Sequence, residues 1–367
     1  MPRKPIQLRQ VPAWQSTVNA DTVPNEHELE NHSSPRPTVI NTSLISMSAT
    51  PILFVIIVAG LLHFNCGGVR AEPIRIAMPS KSLTFLNYYL ADKFNLFKSE
   101  GLEASFPVGK ADVQLTAVVT GEMEYIAAAG TVLRGAATGL PVKAVMFALD
   151  KPIFFMMVKP ETRRLQDLRG KPVAVTALAA TDALGARAMA KAAGINPDQD
   201  LVFLSAGNTA NALAALQAGA AAAAMLSIPF NLKAEELGYR SLGNAADFLR
   251  TALSGLGTSD ARIKANPAQV KRVIRAALRG MDFARDAANQ DKIIPYIVED
   301  FQLDRKTAEA SLREIVKHYS KDGTTSDEAI RADIEFVREQ NKLKTAIPTA
   351  QVLDYSLLKE VLAEMKK

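Results

Sequence analysis

The chain is nearly without the residues that cross-link, ligate metals or attack substrates: one cysteine, Cys66, four histidines and a single tryptophan in 367 residues. From Glu72 onward there is no cysteine or tryptophan, and His318 is the only histidine. That composition excludes a disulfide framework and a Cys/His metal centre for this region. It also leaves no cysteine nucleophile, so stability has to come from core burial, which a chain of this length can supply. A long apolar run is missing as well. The densest block, Pro51-Ile-Leu-Phe-Val-Ile-Ile-Val-Ala-Gly-Leu-Leu62, has the length of a signal-peptide core rather than the roughly 20 residues of a spanning helix. Nor is there a large excess of one charge. Residues 1–71 hold five of the 43 basic and four of the 38 acidic side chains. What remains is mildly basic with both signs alternating along the C-terminal helices, which gives no nucleic-acid footprint.

Residues 1–46 are polar and proline-dotted and read as a disordered leader or a mis-assigned start, with Met47 as the true first residue. Residues 47–71 read as a signal peptide, with Val69 and Ala71 at the −3 and −1 positions of a cleavage site and the mature chain beginning at Glu72. No Lys or Arg lies between Met47 and the apolar block, which is unusual for a signal, and an uncleaved anchor is the other option. His63-Phe-Asn65 before Cys66 lacks the residues a lipid-attachment site needs.

What is present is one unit twice. Leu115-Thr-Ala-Val-Val-Thr-Gly121, Tyr125-Ile-Ala-Ala128 and Gly130-Thr131 are matched about 98 positions later by Leu213-Ala-Ala-Leu-Gln-Ala-Gly219, Ala222 to Leu226 and Ser227-Ile-Pro229. Each copy reads as a helix closed by a glycine, a short apolar strand and a small-residue loop. Upstream, Ile74-Arg-Ile-Ala-Met-Pro79 matches Val173-Ala-Val-Thr176, and Gly101-Leu-Glu-Ala-Ser-Phe106 matches Gly194-Ile195 with Leu201-Val-Phe-Leu204. Two α/β lobes follow, each a mostly parallel sheet flanked by helices, with ligands expected at the carboxyl ends of the strands. Lobe one takes residues 74–150 and 229–367, and lobe two takes 153–226. The chain crosses between them near Leu149–Pro152 and Ser227–Phe230, two hinge crossovers marked by prolines. Helical spacing is expected over 268–288, 291–300, 304–318, 326–340 and 355–365, with Asn266 capping ahead of Pro267.

Several segments resemble the type II periplasmic solute-binding proteins of ABC importers, in the group that handles sulfonates, taurine, nitrate and thiamine-pyrimidine precursors. They are Lys93-Phe-Asn-Leu-Phe-Lys-Ser-Glu-Gly-Leu-Glu103, Gly121-Glu-Met-Glu-Tyr125, Gly139-Leu-Pro-Val-Lys143 and Leu168-Arg-Gly-Lys-Pro-Val-Ala-Val175, and the likeness is close over about residues 74–245. Where that family carries Asp before each repeated strand, this chain has Glu124 in the first copy and an alanine run, Ala220 to Ala224, in the second. The resemblance implies a two-lobed type II binding fold and a periplasmic, monomeric, non-enzymatic receptor without a cofactor or metal. Such a receptor hands a small-molecule solute to the membrane subunits of an ABC importer.

The expected ligand contacts are loops at strand ends. After the first strand come Ser80, Ser82 and Thr84, which offer hydroxyls, and Phe85, which offers a flat apolar face. Gly130 and Thr131 open a helix whose amides are expected to face the cleft. In lobe two Thr176, Thr181 and Asp182 sit at another helix start, Asn208 in the next loop and Ser227 at the strand end. Asp182 reads either as a partner for an amine or as a helix cap, and Asn208 as a contact or a cap. Lys81 is the one basic residue in these loops, so the solute is expected to be a small neutral or singly anionic molecule held by amides and hydroxyls. A thiamine-pyrimidine-synthase-like enzyme on the same fold is the alternative, with Lys81 its only candidate nucleophile. A sensor domain that recruits partners is a third reading.

Overall fold

Each copy of the repeated unit folds as strand, helix, strand, helix, strand. The computed structural model describes residues 71–251 and 253–366, so the leader and most of the expected signal peptide lie outside the described residues. In the first copy β1 (Glu72–Ala77), α1 (Leu86–Lys93), β2 (Leu102–Ser105), α2 (Ala111–Thr120) and β3 (Tyr125–Ile126) lead into α3 (Ala129–Ala137) and β4 (Val142–Phe147). After a connector come β5 (Phe155–Val158) and β6 (Pro172–Val175), followed by α4 (Thr181–Ala192), β7 (Val202–Ser205) and α5 (Thr209–Gln217). β8 (Ala223–Leu226), α6 (Phe230–Glu236) and β9 (Arg240–Asn244) close this half. β10 (Gly255–Ser259) then precedes the long helices α7 (Pro267–Arg285), α8 (Gln290–Phe301), α9 (Arg305–Lys317), α10 (Asp327–Gln340) and α11 (Ser356–Met365).

The glycines that end the repeated helices do what the sequence requires of them: Gly121 and Gly219 take φ of 84° and 73°, a left-handed conformation that lets the chain reverse into β3 and β8. The alanine run ends in a strand. Ala223, Ala224, Met225 and Leu226 are all fully buried between β6 and β5, and that burial between neighbours overrides the helical preference of alanine. Glu124 has a structural task, accepting hydrogen bonds from the Arg75 backbone N–H at 2.9 Å and from its guanidinium at 2.9 and 2.8 Å. Asn266 precedes Pro267 as expected, but its side chain makes no capping hydrogen bond.

The two five-stranded sheets have orders β2-β1-β3-β10-β4 and β7-β6-β8-β5-β9. In each, four strands run one way and the fifth is antiparallel: β10 in the first and β5 in the second. Those two are the strands on which the chain enters from the other sheet. A chain crossing at the carboxyl ends of the resident strands has to run against them, so the antiparallel pair follows from the two crossovers.

The second crossover is not where the proline at 229 placed it. From β8 the chain continues through α6 and returns as β9, which hydrogen-bonds the outer edge of β5 with Phe155 opposite Asn244 and Val158 opposite Arg240. The chain leaves the second sheet between Asn244 and Gly255, so residues 229–244 go with lobe two rather than lobe one. The reason is the edge: β5 without β9 presents a row of unpaired backbone groups. Arg240-Ser-Leu-Gly-Asn244 has low strand propensity, which is why its pattern does not announce a strand.

The largest apolar cluster joins β1, α1 and α7, where Gly280 of α7 lies against the Asn87 backbone of α1. The C-terminal helices therefore build the scaffold of lobe one. They also carry Asp333, which reaches the lobe boundary.

Candidate functional site

Loops from the carboxyl ends of both sheets meet around a cavity of about 50 Å³. Lobe one contributes Pro79, Ser80, Thr84 and Phe85 after β1, Ala128 and Thr131 after β3, and Ala111 at the start of α2. Lobe two contributes Thr176, Ala180, Thr181 and Asp182 after β6, Thr209 at the start of α5 and Ser227 after β8. Phe154 and Leu253, from the two crossovers, complete the wall. The open space accommodates a few non-hydrogen atoms, since one water-sized probe needs about 10–15 Å³.

Eight of the residues singled out from the sequence therefore come together on this wall, and three do not. Ser82 is fully buried behind it, bonding Ser227 Oγ at 3.0 Å and donating to the Ile228 carbonyl at 2.7 Å. With Leu83 N–H donating to the same carbonyl at 3.1 Å, it joins the loop after β1 to the loop after β8 across the lobe boundary. Asn208 caps α5, its side chain accepting from the Asn211 N–H at 2.9 Å. Gly130 is buried and donates its N–H to the Leu253 carbonyl at 3.4 Å. The expectation that the amides of Gly130 and Thr131 face the cleft is not met, because the Thr131 N–H is also taken, by Ala128 at 3.0 Å. In lobe two the Thr176 N–H donates to Asp182 at 2.5 Å and the Ala180 N–H to Ala177 at 3.1 Å.

Asp182 is fully buried in the first turn of α4 and organises the loop before it. It accepts from the Thr176 N–H and, at 2.9 Å, from the Thr176 hydroxyl, and from the Ala183 N–H at 3.0 Å. The helix cap itself is Ala180. Burial pushes the Asp182 carboxyl up to about 6, against the pull of those donors. Lys81 turns away from the cavity to pair with Asp300 at 3.1 Å, and His318 bonds Glu314 at 3.1 Å. Among the described residues no three His, Cys, Asp or Glu side chains are grouped to hold a metal.

Sequence reasoning missed Thr209, Phe154 and the Arg134–Asp333 pair. Thr209 was within reach of the repeat: it stands 98 positions after Ala111, and both open the helix that precedes the repeated strand and line the cavity. Arg134 on α3 donates to Asp333 of α10 at 2.7 Å and to the Thr181 hydroxyl of lobe two at 2.9 Å. Thr251, in the second crossover, donates to the other Asp333 oxygen. Nothing in the sequence marks these partners, because Arg134 and Asp333 are 199 residues apart.

The family model described as "NMT1/THI5 like" matches residues 82–290. A curated relative, the riboflavin-binding protein RibY of Chloroflexus aurantiacus, is 27% identical over 289 residues, covering 74% of this chain and 81% of that protein. Among solved structures, the periplasmic aliphatic sulphonate-binding protein SsuA of Escherichia coli aligns with a TM-score of 0.60 at 17% identity, over 77% of this chain and 92% of that one. The periplasmic nitrate-binding protein NrtA of Synechocystis PCC 6803 aligns with a TM-score of 0.63 at 11% identity, over 81% and 89%. At such identities the likeness concerns the fold alone. By the match over more than half its length, the chain belongs to the NMT1/THI5-like family, with the fold of the type II periplasmic solute-binding proteins.

Proposed function

We propose that the protein is an extracytoplasmic solute receptor that holds a small molecule between its two lobes and delivers it to an ABC importer in the membrane. The observation that carries this reading is the cavity itself, walled by strand-end loops of both sheets and crossed by the Ser82–Ser227, Leu83–Ile228 and Arg134–Thr181 hydrogen bonds. A cavity of about 50 Å³ is well below the 300–1,000 Å³ of an ordinary ligand pocket, so entry and release require the lobes to part. Motion about the two crossovers supplies that opening. The wall holds one titratable side chain, Asp182, and so lacks the paired acid and base of a hydrolytic or transfer enzyme. The family match and the sulfonate- and nitrate-binding neighbours support the periplasmic location, the importer partner and the small solute by kinship. Riboflavin, named for the RibY relative, is too large for the cavity in its closed form.

A thermal-shift screen of the full chain tests the reading, with amines, amidines, sulfonates, nitrate, short carboxylates and riboflavin. At a concentration near 100 times Kd the expected gain is about 2.7 kcal/mol, or several degrees. Tight binding by calorimetry without compaction in X-ray scattering would show that the lobes do not close on the solute.

A further inference from the structure

The hydroxyl groups on the cavity wall are not equivalent, because the protein has already spent several of their protons. A hydroxyl has one proton to give and two lone pairs. The Ser82 proton goes to the Ile228 carbonyl at 2.7 Å, so the 3.1 Å contact between Thr84 and Ser82 uses the Thr84 proton. The Ser227 proton is held by Ser82 at 3.0 Å or by Thr209 at 3.4 Å. The Thr176 proton goes to the Asp182 carboxylate at 2.9 Å. Thr84, Thr176 and Ser227 therefore turn lone pairs toward any occupant, beside a carboxylate with no cationic partner among the described residues. Thr181 is an exception, as is Thr209 where it accepts from Ser227. Thr181 accepts from Arg134, which frees its own proton for the cavity. Ser80 and Thr131 supply hydroxyls of either sense.

Part of the donor set an anion would need is committed elsewhere. Gly130, Thr131, Thr176 and Ala180 all have their N–H groups bonded within the protein, and no Lys or Arg lines the cavity.

We propose that the cavity is an acceptor-lined site whose occupant presents N–H donors from an ammonium or amidinium group, and that it discriminates against sulfonate and nitrate. This inference rests on the receptor reading and narrows its solute. Recognition centres on Thr176 and Asp182, with Thr84 and Ser227 completing the ring of lone pairs.

The charged groups around Asp182 are few. Arg134 and Asp333 reach its corner through Thr181, Arg187 and Asp198 pair with each other at 3.5 Å, and Asp247 is exposed on the turn against α4. With the carboxyl pushed up to about 6, the ionised form that accepts an N–H dominates only above that pH.

The test is calorimetry on the full-length chain with acetamidine and methylammonium against methanesulfonate and nitrate, at pH 5 and 7.5. Acetamidine is expected to bind about tenfold more tightly at pH 7.5 than at pH 5. Thr176→Val and Asp182→Asn are each expected to lose at least about tenfold, the effect of a lost charge-assisted hydrogen bond. The pH series on the unaltered protein decides the matter if a variant does not fold. Binding of methanesulfonate or nitrate alone, or acetamidine binding that is indifferent to pH, overturns the inference and leaves the receptor reading standing. No binding by any of the four probes overturns the inference too, while the wider screen with its scattering measurement judges the receptor reading separately.

Discussion

Replacing Arg134 with methionine should unbalance the lobe boundary in a way that pH can reverse. The Arg134 side chain is 7% exposed and that of Asp333 is 0% exposed, so the pair is desolvated on both sides. Removing one member of such a pair costs about 3–5 kcal/mol, because the remaining charge is left buried and unpaired. Against a typical domain stability of about 5–15 kcal/mol that is a large fraction, on the order of 10 °C in Tm. Burial pushes the Asp333 carboxyl up, and in Arg134→Met only Thr251 still pulls it down. Its folded pKa then lies above the unfolded value of about 3.9, and the folded state binds the extra proton. The deficit should be full at high pH and shrink as pH falls through the raised folded value. Adding Asp333→Asn to Arg134→Met removes the orphaned charge and should recover most of the loss, a coupling that a double-mutant cycle measures directly. Urea unfolding followed by far-UV circular dichroism is the assay, since the only tryptophan lies at position 14. A loss under about 1 kcal/mol at neutral pH, or the same loss at pH 5 and pH 8, would refute the argument.

Asp182 carries its own stability signature. Its folded value of about 6 stands above the unfolded value of about 3.9, so its contribution is greatest below pH 4 and falls as pH rises through 6. The fall totals about 3 kcal/mol, and it should be visible as the changing gap between the unfolding curves of the unaltered protein and Asp182→Asn across that range. Parallel curves would refute it. Gly280→Ala should destabilise lobe one by about 1–3 kcal/mol or more, because a Cβ there would stand 2.0 Å from the Asn87 carbonyl oxygen and α1 would have to move off α7. Thermal unfolding of that variant at unchanged Tm would show that this helix pair yields without strain.

The fold was legible where residues were both apolar and punctuated. Gly121 and Gly219 end helices in register with one another, and the buried segments after them, Tyr125-Ile126 and Ala223 to Leu226, cannot be anything but short strands once the two copies are compared. β9 was not legible, since its five residues combine glycine with polar side chains and become a strand only because β5 offers an edge. At the site, sequence located the loops but not their faces. Ser80, Thr84 and Ser227 reach the cavity, while Ser82, two residues along the same loop, turns into the wall to hold the lobes together. The free amides expected at Gly130 and Thr131 are occupied by a crossover carbonyl and by a tight first turn, neither of which leaves a trace in local sequence. Arg134 shows the limit most clearly: its meaning depends on Thr181, Thr251 and Asp333, three partners in three separate segments.

Closure of the two lobes around a small solute would shorten distances across the cleft. Val113 on lobe one and Leu178 on lobe two are 61% and 52% exposed, and Cys66 is the only cysteine to remove. Spin labels at Val113→Cys and Leu178→Cys in a Cys66→Ser background report one such distance by pulsed electron resonance. A broad distribution with a long component is expected in the solute-free protein, collapsing to a single shorter distance once a solute shown to bind by calorimetry is saturating. An identical distribution with and without that solute would contradict closure.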